Sequence, residues 1–341
     1  MDKFRDIRAY HSCGLVYVVD FLFVMPFLRY ITLTRTKGLK LEYLQLPGMS
    51  AKESRKFIEH DIRKGAFYMT NHRDIVMDAA FLGRLIIPRY CQHPYIGIGN
   101  NLFGKWWIEP LCRFLRTFVV KRNGTPREIM QSSLLMSEYI QHIRRHGKSI
   151  WMAQREGRAK DSNDRTQPAV LKMLTLSANN NRELLDQLKV LNICPVSLSY
   201  EYDPCDYLKA AEFQLKRDNP HWRKSPKDDI VSMKTGIWGE KGHVVFRMTP
   251  SINHWIDAHR EQLESLSRNE LLRTIAEQID KHIFLGYEIF PRGTEFDAYI
   301  NSRLALIDIP NKDDVFLREK LYEMYNYPVI NHEESNISGL I

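Results

Sequence analysis

Six short apolar runs punctuate the chain, and stretches of helical periodicity separate them. The runs are AFYMTN (66–71), YIGIG (95–99), TFVVKR (117–122), SIWMAQ (149–154), ICPVSLSYEY (193–202) and HVVFRMTP (243–250). Each is short and rich in branched and aromatic side chains, the signature of a buried strand. Between them, residues 75–86 and 126–145 read as helices. The second carries its own start signals: Thr125 as N-cap, Pro126 in the first turn, and Glu128 three residues after the cap. Ile129, Met136, Ile140 and Ile143 then give it one apolar face. The alternation predicts an α/β layer fold with a mostly parallel central sheet flanked by helices. In such sheets functional groups collect beyond the C-terminal strand ends. His72, Arg122 and the stretch Arg155–Arg158 each fall just after a predicted strand.

A length of 341 residues suits one large domain, or a main domain with an appendage. The expected layout is an N-terminal helical segment over 1–45, an α/β domain over 46–255 with a charged insertion at 206–235, and a helical extension over 256–341. Residues 14–28, GLVYVVDFLFVMPFL, are strongly apolar, but Asp20 and Pro26 interrupt them. A membrane span needs about 18 apolar residues in a row. The segment therefore reads as a helix docked on the main domain or as a surface dipping into a bilayer interface. No cleavable leader is expected.

The formal net charge of +8 favours polyanionic partners: anionic lipid, acidic carriers or phosphorylated substrates. Nucleic acid is not expected, because neither a basic–aromatic RNA motif nor a recognition-helix pattern occurs. Cys13, Cys91, Cys112, Cys194 and Cys205 are scattered, with no C-x-x-C pair. A zinc site is not expected, and a reducing compartment fits.

Residues 68–82, YMTNHRDIVMDAAFL, hold the densest chemistry. His-Arg-Asp opens a protein-kinase catalytic loop, but that motif needs Asn five residues after the Asp and a later D-F-G. Ala79 stands at that position and no D-F-G occurs. GIGNNL at 97–102 lacks the third glycine of a dinucleotide fingerprint. A neutral histidine, by contrast, is suited to general-base work near neutral pH. A carboxylate behind it fixes the tautomer and stabilises the imidazolium. Asp78 and Asp74 compete for that role, and Asp74 also stands at a natural N-cap before IVMDAAFL. Asn71 orients the loop or forms its turn. A phosphorylated acceptor needs fixed positive charge, and arginine binds phosphate through a planar fork. Arg122, Arg155 and Arg158 are the candidates. Gly157 permits close backbone approach, and Glu156 contacts acceptor hydroxyls or holds the arginines. Arg73 and Lys121 are secondary candidates. NNLFGKWWIEPLCRFL (100–115) lines an apolar groove or is plain core. Oxyanion donors would be backbone N–H groups near 155–158 or at the start of helix 75–86.

Four blocks in order, over roughly 66–200, resemble the glycerolipid acyltransferase family (glycerol-3-phosphate and 1-acylglycerol-3-phosphate acyltransferases), in a divergent bacterial form. Block one, N-H-x-x-x-x-D, corresponds to NHRDIVMD. RTFVVKR supplies the arginine of block two as Arg122. AQREGRAKD carries Glu156 and Gly157 in the register of F-P-E-G-T-R, and ICPVSLSY supplies the proline of block four as Pro195. The spacing from His72 to Asp78 is one residue longer than the family pattern, with Met77 where Asp is expected. Arg155 and Arg158 replace the usual Pro and Thr, and Arg116 the usual glycine of block two.

The resemblance implies transfer of a fatty acyl group from acyl-CoA or acyl-carrier protein to a hydroxyl of a glycerolipid precursor, in phospholipid biosynthesis. Lysophosphatidic acid is the first acceptor; glycerol-3-phosphate and a lyso amino-acid lipid are the alternatives. It implies His72 and Asp78 as the catalytic pair, and Arg122, Arg155, Glu156, Gly157 and Arg158 as substrate-binding residues. No metal or dissociable cofactor is implied. The partners would be the acyl donor and an anionic membrane surface, with the protein peripheral on its cytoplasmic face. A reading from another class is a non-catalytic lipid-surface protein that keeps a degenerate site.

Overall fold

The computed structural model describes residues 4, 7, 18–99, 112, 116–121 and 124–335. Its centre is a seven-stranded, mostly parallel sheet flanked by helices. The strands are β1 (Gly38–Tyr43), β2 (Phe67–Thr70), β3 (Tyr95–Gly99), β4 (Thr117–Val120), β5 (Ile150–Ala153), β6 (Ile193–Tyr200) and β7 (His243–Met248). Their order across the sheet is β1-β7-β6-β2-β5-β3-β4. β2 lies between β5 and β6, with Phe67 level with both Ile150 and Ile193.

The period-two pattern of the central strands divides the core. Phe67, Met69, Ile150 and Met152 point into one apolar layer, and Tyr68 and Trp151 into the other. The helices are α1 (Met25–Arg35), α2 (Ala51–Arg63), α3 (Met77–Tyr90), α4 (Pro126–Arg145), α5 (Pro168–Leu174), α6 (Asn181–Leu191), α7 (Asp206–Asp218), α8 (Pro226–Trp238), α9 (Asn253–Ala258), α10 (Arg260–Ser265), α11 (Arg268–Leu285), α12 (Phe296–Ala305) and α13 (Asp314–Glu334). Faces of α4, α6 and α11 cover the first layer, and α2 and α3 the second. Helix α4 begins where its sequence says. Thr125 accepts from the Glu128 N–H, and the Glu128 carboxylate accepts from the Thr125 N–H at 2.8 Å.

Several expectations need correction. Residues 38–43, expected within the N-terminal helical segment, form edge strand β1, parallel to β7. The alternation Leu39, Leu41, Tyr43 against Lys40 and Glu42 suits a half-buried edge, and the three apolar residues pack on the second layer. β7 runs antiparallel to β6, because α7 and α8 bring the chain back to the strand end it left: Tyr200 pairs with Val244. The insertion 206–235 supplies α7, whose Ala210 packs with Ile300 and Leu304 of α12 and Leu317 and Leu321 of α13. A segment of the insertion and the end of the extension thus build one satellite core.

Residues 14–17 lie outside the described residues. The rest of the apolar segment docks on the main domain by one face only, through Val24, Met25, Leu28 and Ile31. A π-helical turn, Asp20–Val24, leads into α1, and among α1 residues Leu28 and Ile31 are buried. Phe21, Phe23 and Leu33 are 74%, 67% and 71% exposed. Among the described residues no helix is long and apolar enough to cross a membrane.

Candidate active site

β2 ends at Thr70, and the next six residues form the loop that carries His72. Asn71 continues the sheet with its side chain. Its Nδ2 donates to the Leu198 carbonyl at 2.9 Å, and its Oδ1 accepts from the Leu198 N–H at 2.8 Å. The amide thereby replaces the backbone rung that β2 no longer offers to β6. The His72 N–H donates to Asp164 Oδ2 at 2.6 Å. With both anchors in place the loop has little freedom to move.

The imidazole then meets Asp78 in the first turn of α3: His72 Nδ1 lies 2.9 Å from Asp78 Oδ2. The same oxygen accepts from the N–H groups of Arg73 (2.7 Å) and Asp74 (3.0 Å). The other oxygen, Oδ1, accepts from the Tyr200 hydroxyl at 3.0 Å. A fully buried carboxylate is tolerable only with such a shell of donors. The bond fixes the tautomer with the proton on Nδ1, leaving Nε2 as an acceptor. His72 lines the neighbouring cleft, and its ring sits edge-on to Trp151 with centroids 6.1 Å apart. The additional residue between His72 and Asp78 is absorbed before the helix, which starts only at Met77.

Asp74 has the capping role. Its Oδ1 accepts from the N–H groups of Val76 and Met77, each at 2.8 Å. Burial raises its carboxyl above the usual range, and the nearby Asp78 charge adds to this. Burial likewise raises Asp164, against the opposing pull of the His72 N–H. Gly236 of α8 comes so close that a Cβ there would sit 1.8 Å from Asp74 Oδ2.

The cleft opens between the ends of β3, β4 and β5. Lys121, Arg155, Arg158, Lys160 and Lys224 line it against Glu156 and Asp229, so cations dominate its charged groups. Arg158 has a buried Nη1 with no hydrogen-bond partner, and Arg155 a buried Nε in the same state, 3.8 Å from Asp164 Oδ1. Lys160 is bound to Glu212, and burial lowers its ammonium to about 8 despite that carboxylate. Ile98, Val120, Ile129 and Met173 add apolar surface to its wall.

Glu156 is exposed, and its N–H donates to Gln167 Oε1 at 2.8 Å. Gly157 has φ of +70°, a conformation that favours glycine, with nothing near its absent side chain. The oxyanion expectation narrows accordingly. At the start of α3 the Val76 and Met77 N–H groups are taken by Asp74, and those of Arg73 and Asp74 by Asp78. The N–H groups of Gly157 and Arg158 form no hydrogen bond among the described residues. Arg73 points away from the cleft into a second cavity. Arg122, and residues 100–115 apart from Cys112, lie outside the described residues.

Two residues of the assembly escaped sequence reasoning. Tyr200 could have been found as the last aromatic but one of the run ICPVSLSYEY. Asp164 sits in the polar stretch DSNDRT, where nothing in the spacing separates it from Asp161. No group of three or more metal-ligating side chains occurs among the described residues. No family model matches this sequence, and no curated protein matches it either.

Proposed function

We propose that this chain is an O-acyltransferase. It moves a fatty acyl group from acyl-CoA or acyl-carrier protein to a hydroxyl of a glycerolipid precursor, with lysophosphatidic acid as the first acceptor. The observation that carries the reading is the His72–Asp78 bond, with its donor shell, beside a cleft lined by both cations and apolar side chains.

In this reading the acceptor hydroxyl gives its proton to His72 Nε2 as its oxygen attacks the thioester carbon. Asp78 holds the ring and stabilises the imidazolium. The carbonyl π-electrons move to oxygen, where the Gly157 and Arg158 N–H groups are the candidate donors. As the carbonyl re-forms, the C–S bond breaks and the thiolate takes the proton from the imidazolium. Arg155 and Arg158 hold the acceptor phosphate, with Arg122 assigned by resemblance alone. The exposed Phe21, Phe23 and Leu33, beside the exposed cations Arg29, Lys37 and Lys40, support a peripheral position on an anionic membrane.

Purified protein should be offered labelled acyl-CoA and acyl-carrier protein with lysophosphatidic acid, glycerol-3-phosphate and a lyso amino-acid lipid. Product with one acceptor, lost in His72→Ala and Asp78→Ala, is the expected outcome. Lipid binding with no transfer to any acceptor, by folded protein, would favour the non-catalytic reading instead.

A further inference from the structure

On the other side of the His72–Arg73 peptide lies a cavity of about 280 Å³, between the end of β6, the 288–296 segment and α13. It shares no described lining residue with the His72 cleft. Arg73 enters it from the loop. The side chain is 7% exposed, and its guanidinium has no hydrogen-bond or ion-pair partner among the described residues. Ser162, 1% exposed, lines the same cavity with an Oγ that also has no partner.

The other charges in the wall are committed. Asp203 binds Lys209, whose ammonium holds the carboxyl below its usual range although burial alone would raise it. Glu201 accepts from the His243 N–H at 2.8 Å and pairs with its ring at 2.7 Å. Glu288 is bound to Arg247. Arg292 donates to Asn326 and to the Tyr325 carbonyl, and lies 5.0 Å over the Phe296 ring. Glu295 stands exposed at the mouth. The Arg73 guanidinium makes no hydrogen bond or close ion pair among the described residues, and the Asp203 and Asp164 carboxylates act on it only through their charge; its buried donors stay unmatched until an anion completes them. The rest of the wall is largely apolar: Ile289, Phe290, Phe296, Met324 and Val329.

We propose that this cavity is a second ligand site, separate from the His72 cleft. It takes a small amphiphilic anion: a carboxylate or phosphate monoester on a short apolar body. The anionic head lies on Arg73 with Ser162 Oγ donating to it, and the body lies against Phe290, Phe296 and Met324. The volume falls at the small end of ligand cavities, roughly 300–1,000 Å³, and suits a short chain.

The test reads binding, so it is independent of the acyltransferase reading. Calorimetric titrations would use octanoate, octyl phosphate and neutral octanol, against wild type, Arg73→Gln, Val329→Trp and Arg155→Gln. Wild type should bind at least one of the anions saturably and more tightly than octanol. Arg73→Gln should weaken that binding about tenfold or more, the range for a hydrogen bond to a charged group. Val329→Trp fills the cavity from its surface side, so it should weaken binding while leaving Arg73 in place. It also carries the test if Arg73→Gln fails to fold. Arg155→Gln, which removes a cation of the His72 cleft, should leave the Arg73-dependent part of the binding in place. The anion that binds identifies the head group. Unchanged binding in both Arg73→Gln and Val329→Trp would overturn the proposal. So would binding lost only in Arg155→Gln, or octanol binding as tightly as the anions.

Discussion

Asp280 should make this protein more stable once its charge is removed. The residue lies on α11, buried against Thr166. Its Oδ1 accepts from Thr166 N at 2.7 Å and from Thr166 Oγ1 at 2.6 Å. Burial raises its carboxyl to about 6; the two Thr166 bonds oppose that rise, and the Asp164 charge nearby reinforces it. The folded state therefore holds this proton over a pH range where the unfolded chain has released it. Below the ordinary value of 3.8 both states are protonated and no penalty exists. As pH climbs through about 6, the folded protein must ionise a buried group and loses stability. Moving a carboxyl from 3.8 to about 6 corresponds to a penalty of roughly 3 kcal/mol at pH 8. Asp280→Asn keeps the oxygen that Thr166 needs and never ionises. Urea unfolding followed by tryptophan fluorescence should show the variant more stable than wild type at pH 8, by up to that amount. The gap should close as the pH is brought down to 4. A gap of the same size at both pH values, or one that widens towards acid, would refute the reasoning.

Other perturbations address the loop and its supports. Asp78→Asn should lower acyl transfer by roughly 10²–10⁴-fold while the protein still folds, because the ring loses the partner that fixes its tautomer; steady-state rates on the best acceptor decide this. Tyr200→Phe removes one donor from the buried Asp78 carboxylate and should cost about 1.5–3 kcal/mol in chemical unfolding. Asn71→Ala removes both bonds to Leu198 and should cost about 2–3 kcal/mol, with transfer falling more steeply than stability. Gly236→Ala drives a methyl into Asp74 and should cost about 1–3 kcal/mol; a melting temperature equal to wild type would contradict the close approach of α8.

What the sequence made legible was local. The Thr125–Glu128 capping box, the five-residue span of β3 and the apolar stripe of α4 each depend on residues a few positions apart, and each stands as expected. β1 was missed although Leu39, Leu41 and Tyr43 alternate with Lys40 and Glu42, because the run is short and an apolar segment stands close before it. The reversal of β7 was invisible because strand direction depends on where α7 and α8 return the chain, which no local pattern encodes. At the candidate site, His72 and Asp78 lie within one short loop and could be paired from sequence. Their lengthened spacing could not be shown to close without coordinates. Asp164 and Tyr200 act on the loop across long sequence separations, so chemistry at those positions gave no cue. Its charge put Arg73 among the secondary candidates for the site, but the loop turns its side chain to the opposite side.

The supports of the His72 loop also carry a consequence for the order of assembly. Its partners Asp164, Tyr200 and Leu198 lie 92, 122 and 127 residues away along the chain. A nascent chain that has emerged only as far as α4 contains the whole His72–Asp78 stretch and none of these supports. The dyad then exists as sequence but not as geometry. It is set only after β6 has docked beside β2, a late event for contacts of such long range. Partly folded chains therefore carry no assembled His72–Asp78 pair, which forms only on a finished sheet.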